Sequence, residues 1–193
     1  MRPTPARDAL LEAACVLFYR NGIHATSIET ILERAGVARQ SLYQHFSSKD
    51  GLVAAFLELR DERWCGWMNT FVAQASVDPY QRVLAIYDFL ADWFSQPDFN
   101  GCAFINTAAE YSDTNHPFHI LAARHKARVL TAIENLCRKA GLKKPQQLSR
   151  QLALLMEGAI VTEQVSPGSG AAGEARRIAE LLLSQHPQGE HHV

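Results

Sequence analysis

The sequence predicts an all-α fold, with an N-terminal three-helix domain holding a helix-turn-helix and a C-terminal helical domain. Three observations predict it. Apolar residues recur at helical spacing: Leu10, Ala13, Ala14, Leu17 and Phe18 fall on one stripe. Alternating β-branched runs bounded by turns, the mark of strands, are missing. Glycine, proline and Asn-Gly pairs fall where helices would end, at Asn21-Gly22, Gly36, Asn100-Gly101, Pro145 and 166–170.

Each element follows in order. The first helix ends at Asn21-Gly22, residues that tolerate the left-handed conformation. Thr26-Ser27-Ile28-Glu29 reads as a capping box, with the Thr26 hydroxyl accepting the N3 amide and Glu29 reaching back. A short helix carrying Ile28, Ile31 and Leu32 follows, and Ala35-Gly36-Val37 turns the chain. The next short helix runs from about Ala38 to His45, with Leu42 and Phe46 inward. Ser47-Ser48-Lys49-Asp50 reads as a new N-cap. A long helix then carries Val53, Phe56, Leu57, Trp64, Trp67, Met68 and Phe71 in phase. Its length of about 40 Å is enough to join two domains. Asp78-Pro79 opens a helix with Val83, Tyr87, Leu90 and Phe94, and Cys102 to Tyr111 forms a short one. Further helices start at Asn115-His116-Pro117 and Pro145, and the last spans Ala171 to Ser184. The expected domains are residues 1–50 and 51–193.

Composition bounds the function. The chain has 193 residues, 47% hydrophobic and 20% charged, an ordinary globular mix that can bury a core without disulfides or metals. Its net charge of −1 gives no global basic field, although a small reading head would be hidden in that average. Cys15, Cys65, Cys102 and Cys137 are scattered without CxxC spacing, so no metal site and no cofactor are expected. No apolar signal-peptide core follows Met1, and no run approaches the roughly 20 residues a membrane helix needs. A cytoplasmic protein without membrane contact is the expectation. No Ser/His/Asp order or glycine-rich phosphate loop points to an enzyme.

Function concentrates in residues 26–49. Two short helices about a glycine-centred turn form a helix-turn-helix. The second helix offers Arg39, Gln40, Ser41, Tyr43, Gln44 and His45 outward. Arginine pairs bidentately with guanine and glutamine with adenine. Ser41, Tyr43, His45 and Lys49 can donate to phosphates. Amides near Thr26 and Ser27 can hold another phosphate. Residues 1–50 hold six Arg/Lys and five acids, so binding should rely on groove fit and dimerisation more than on a strong field.

The run Thr26-Ser27-Ile28 … Ala35-Gly36-Val37 … Ser41-Leu42-Tyr43-Gln44-His45-Phe46-Ser47-Ser48-Lys49 resembles the DNA-binding domain of TetR-family regulators. Leu17-Phe18-Tyr19-Arg20-Asn21-Gly22 matches too, and the resemblance covers about residues 7–56. It implies an all-α homodimer on a double-stranded DNA operator. It also implies phosphate contacts from Thr26, Tyr43, His45 and Lys49, and base contacts from Arg39, Gln40 and Gln44. Ala38 departs from the pattern where a capping Ser or Thr is common, and Gly51 where a better helix former is usual. The segment Gly101-Cys102-Ala103-Phe104-Ile105-Asn106 … Glu110-Tyr111 resembles the C-terminal domain of one branch of the family.

The C-terminal domain is expected to bind a small hydrophobic or aromatic ligand. Trp64, Trp67, Phe71, Tyr87, Phe94, Phe104 and Tyr111 either line a pocket or fill the core. Asn106 and Glu110, one turn apart, either orient a polar ligand group or cap, pair or face water. His116 and His119 could form a metal pair with His125, but Asn115-His116-Pro117 reads better as a helix start, and His186, His191 and His192 read as a solvated tail. Cys102 is either a redox sensor or a buried inert thiol. Leu152, Leu155, Met156, Ala159 and Ile160 make one stripe, and Ala175, Ile178, Ala179, Leu181 and Leu182 another. Two such hairpins can form a four-helix bundle about a two-fold axis, which in the resembling family is the dimer interface. The expected function is a homodimeric repressor released from a palindromic operator by a ligand. The alternative is a constitutive or redox-responsive DNA-binding protein.

Overall fold

Nine helices run through residues 5–186, the part of the chain that the computed structural model describes: α1 (Pro5–Asn21), α2 (Ile28–Ala35), α3 (Arg39–Phe46), α4 (Lys49–Ala75), α5 (Pro79–Phe94), α6 (Ala103–Glu110), α7 (Pro117–Lys139), α8 (Pro145–Val165) and α9 (Ala171–Ser184). The tail from Pro187 onward, with His191 and His192, lies outside the described residues. His186, assigned from sequence to a solvated tail, is half-buried with its Nδ1 3.2 Å from the Lys143 carbonyl.

The chain divides into two compact units. One gathers the residues up to Arg63 with Cys102–His125, and the other joins Trp64–Gly101 to Lys126 and beyond. In the first, α1 packs on α2 and α3. Leu10, Ala14, Phe18, Ile31 and Leu42 close the core of that packing, each at most 3% exposed. In the second, α8 and α9 pack on each other and both pack on α5. Val83, Tyr87, Leu90, Leu152, Met156, Ala179 and Leu183 are buried there. The Tyr87 hydroxyl donates to the Leu152 carbonyl at 3.0 Å, which satisfies a polar group deep in the core.

Helix ends follow local chemistry. Gly22 and Gly36 adopt positive φ, 88° and 66°, at the C-termini of α1 and α2. Asp78 caps α5 by accepting from the Tyr80 amide at 2.9 Å, with Pro79 at the first helical position. The loop between α8 and α9 is held by Glu163, whose carboxylate accepts from Gly168 N–H at 2.6 Å and from the Ser169 hydroxyl at 2.7 Å. Burial pushes the Glu163 carboxyl up, but these donors outweigh it and hold it below the usual carboxylate range. Its contribution to stability is therefore present above the ordinary value of 4.5 and is lost as pH falls through the lowered one.

The capping box expected at Thr26 and Glu29 is not formed. Ser27 is the N-cap of α2, accepting from Thr30 N–H at 3.1 Å. Thr26 is 2% exposed, and its hydroxyl donates inward, 2.7 Å from the Gly22 carbonyl and 3.3 Å from that of Leu17. The sequence pattern is one residue out of register because both neighbouring side chains carry hydroxyls and only burial distinguishes them.

Gly51, which departs from the family pattern, has a steric cause. A Cβ there would lie 2.0 Å from the Phe46 carbonyl oxygen, a backbone atom that cannot swing away. Gly66, further along α4, has nothing within 4 Å of a built Cβ. The two glycines should respond oppositely to alanine. Gly66→Ala should raise stability by about 1 kcal/mol through helix propensity. Gly51→Ala should lower it by about 1–3 kcal/mol through overpacking. Thermal and urea unfolding of the two variants compares them directly.

Candidate nucleic-acid interface

The candidate surface is built from the inside out. Leu42 and Phe46, four residues apart, are 0% and 8% exposed and anchor one side of α3. The other side then presents Arg39, Gln40, Tyr43 and Gln44 to solvent, and Tyr43 is 48% exposed. Ala38 caps α3 with no side-chain hydrogen bond. Arg39 forms an ion pair with Glu29 of α2 across the turn. Both side chains are more than half exposed, so the pair is worth at most about 1 kcal/mol and can be exchanged for a stronger acceptor. Ser27 is exposed at the start of α2.

The remaining predicted DNA contacts are placed differently. Ser41 and His45 are half-buried, and the His45 ring lies edge-on to Phe46 with centroids 6.5 Å apart. Thr26 is buried, as described above, so its hydroxyl is a strut of the turn rather than a surface donor. The Lys49 ammonium points inward, donating to the Ile23 carbonyl at 2.7 Å and lying 6.0 Å from the Phe18 ring centroid. Its fixed position ties the start of α4 to the turn after α1.

That turn has a further fastener which the sequence did not disclose. The Glu110 carboxylate at the end of α6 accepts from Ile23 N–H at 2.9 Å and from His24 N–H at 2.7 Å. The His24 Nδ1 lies 3.1 Å from the same group. The His24 ring stacks on Tyr111 at 4.6 Å, and Tyr111 stacks in turn on His116 at 4.4 Å. A side chain at Gly22 would meet Glu110 Oε1 at 3.1 Å. Glu110, which the sequence leaves between orienting a ligand group and capping, pairing or facing water, is paired here, and Tyr111 packs beside it at the base of the helix-turn-helix. Partners 87 residues apart leave no local pattern to find.

The other expected ligand residues also have structural work. Phe104 is 2% exposed and stacks on His125 with centroids 3.8 Å apart, and His125 is paired with Asp61 at 2.6 Å. Asn106 is half-buried, and its backbone N–H donates to the Cys102 carbonyl at 3.0 Å. In the second unit Trp64, Trp67 and Phe71 pack edge-to-face on Phe89 at 5.3, 4.8 and 5.7 Å. Phe94 packs on Phe99 at 4.9 Å, and Tyr87 is 1% exposed. Trp64 and Tyr87 are buried, Phe71 and Phe94 half-buried, and Trp67 is 36% exposed. A cavity in that unit lies instead between α4, α5 and α7 and is lined by none of these rings. His116 accepts from Phe118 N–H at 3.2 Å as a helix-start residue, and His119 Nδ1 lies 2.8 Å from the Tyr111 carbonyl. Cys102 is buried. Burial pushes the Cys15 thiol up to about 11 and the Cys137 thiol up to about 12, so neither is a ready nucleophile.

Residues 10–56 match the family model of bacterial regulatory proteins of the tetR family, and residues 79–179 match that of the tetracyclin repressor-like C-terminal domain. This chain belongs to the TetR family of transcriptional regulators. It is similar to the HTH-type transcriptional regulator YjdC of Escherichia coli, 24% identical over 92% of this chain and 93% of that protein. The HTH-type transcriptional repressor ComR of Escherichia coli is 28% identical over 69% of this chain and 64% of its own length. A crystal structure of a TetR-family transcriptional regulator from Streptomyces coelicolor superposes with a TM-score of 0.89 at 30% identity, covering 96% of this chain and 91% of that one. The family and these relatives are DNA-binding regulators, not enzymes. No helix among the described residues is long and apolar enough to cross a membrane.

In this TetR-family chain the Glu110 clamp has a measurable consequence. Glu110→Ala leaves the amides of Ile23 and His24 without their acceptor and should cost about 1–3 kcal/mol. Urea unfolding reads that loss, and hydrogen exchange should show faster exchange at those two amides.

Proposed function

We propose that this regulator is a homodimeric repressor that a small-molecule ligand releases from a near-palindromic operator. The observation that carries the reading is the exposed Arg39, Gln40, Tyr43 and Gln44 face of an α3 held from behind by Leu42 and Phe46. That helix enters a major groove. Arg39 exchanges Glu29 for a base edge or phosphate, Gln40 and Gln44 read bases, and Tyr43 donates to a phosphate. Ser27 and the first amides of α2 hold a second phosphate. Ser41, His45, Thr26 and Lys49 support this surface from beneath or from its rim.

Dimerisation supplies the second reading head. On α8 most of the stripe predicted from sequence to meet a partner is turned inward: Leu152, Met156, Ala159 and Ile160 are at most 5% exposed, and on α9 so are Ala175 and Ala179. On α8 a different apolar set is exposed, and on α9 two residues of the predicted stripe are. Leu154, Val161 and Val165 are 73, 42 and 76% exposed, and Ile178 and Leu181 are 44 and 65% exposed. The α8 residues recur at intervals of seven and four, so they share one helix face, and Gly158 between them allows close approach. A second copy of the chain covers this face in a four-helix bundle. The half-sites are then about one helical turn apart, roughly 34 Å. A ligand releases the operator only if it binds a state with different head spacing more tightly than the DNA-bound one.

Selection of bound sequences from a random DNA pool should enrich a palindrome. Arg39→Ala and Gln44→Ala should each lose about 1–3 kcal/mol of discrimination at the bases they read. No enrichment by folded, dimeric protein at low salt would overturn the reading. Leu181→Asp should convert the dimer to a folded monomer in analytical ultracentrifugation and weaken operator binding in parallel.

A further inference from the structure

We propose that the cavity between the end of α4, the start of α5 and the last turns of α7 binds a small organic anion, a carboxylate carried on a short apolar body. The proposal rests on the reading of the chain as a ligand-released regulator and gives that ligand a place and a chemical class.

The cavity has a volume of about 340 Å³, within the roughly 300–1,000 Å³ range of small-molecule sites. Its polar lining is Asn69, Arg82, Asn135 and Lys139, with no acid among its lining residues. Its apolar lining includes Val72 and Leu136. Arg82 is already oriented, because its Nε donates to the Ser76 carbonyl at 2.6 Å. Its two terminal nitrogens have no partner among the described residues, and neither do the Lys139 ammonium or the two asparagine amides. A guanidinium fixed through Nε is a preformed fork for a carboxylate, at lower entropic cost than a mobile one.

The surrounding chain reinforces the sign. Residues 126–150 carry seven Arg or Lys and one acid, Glu134. That acid is engaged by Arg138 one turn away, with Nε at 3.1 Å. The lining itself offers a carboxylate two cations, Arg82 and Lys139, and no acid. The two asparagine amides can donate to its second oxygen, while Val72 and Leu136 take the apolar end.

The test uses the full-length protein and isothermal titration calorimetry. The probes are octanoate and benzoate, each against its neutral amide, with inorganic phosphate as a separate arm. One carboxylate should bind saturably at one site per chain, with its amide at least tenfold weaker. Lys139→Gln, an exposed change, should weaken that binding about tenfold without altering the thermal melt. Arg82→Gln should weaken it further. Equal binding of acid and amide, no saturable binding of either carboxylate at millimolar concentration, or preference for phosphate would each overturn the proposal. Operator binding is measured beside it without probe. Loss of operator binding with an intact anion site would sink the regulator reading alone. Intact operator binding with no anion site would sink this inference alone.

Discussion

Two side chains hold the surface on which this regulator depends. Leu42 and Phe46 are the buried residues of an eight-residue helix that has no side-chain cap. An isolated helix of that length is unstable in water, so α3 exists because those side chains are packed. Burying each contributes about 1.5–3 kcal/mol, more than any exposed polar contact on the helix. Their four-residue spacing also fixes the rotation of α3 about its axis. The exposed face of α3 is what remains when that spacing has been satisfied.

The turn between α1 and α2 is the second constraint. Thr26 from inside the turn, Lys49 from α4 and Glu110 from α6 all supply polar groups to its backbone. A turn of this kind leaves backbone amides and carbonyls unpaired, and burying them without partners would be costly. Three side chains that by type belong equally well in a DNA or ligand site are used here as fasteners of the turn. Their chemistry is the same in both roles, and only their surroundings separate them.

In the second unit the same ambiguity concerns aromatic rings. A pocket and a core both need large apolar side chains at helical spacing. Phe89, unremarked in the sequence, collects Trp64, Trp67 and Phe71 around it at edge-to-face distances. One open volume in this unit is lined by polar Asn69, Arg82, Asn135 and Lys139 together with apolar residues such as Val72 and Leu136. The outward apolar face likewise belongs to Leu154, Val161 and Val165, because the neighbouring stripe on α8 is consumed within the protomer.

The sequence by itself determined the helices, most of their ends, the position of the helix-turn-helix and the exposed face of α3. These are set by periodicity, capping and glycine conformation, which act over a few residues and so leave a local pattern. It also carried the family resemblance through residues 17–22 and 26–49. Only the tertiary structure decided which hydroxyl caps α2, where Lys49 and Glu110 point, why residue 51 is glycine, and which apolar stripe faces outward. Each of these depends on what lies opposite a side chain, and for Glu110 the opposing group is 87 residues away. Burial and pairing at that range are not encoded in spacing, so identical residue types read equally well as contacts or as core until the chain is folded.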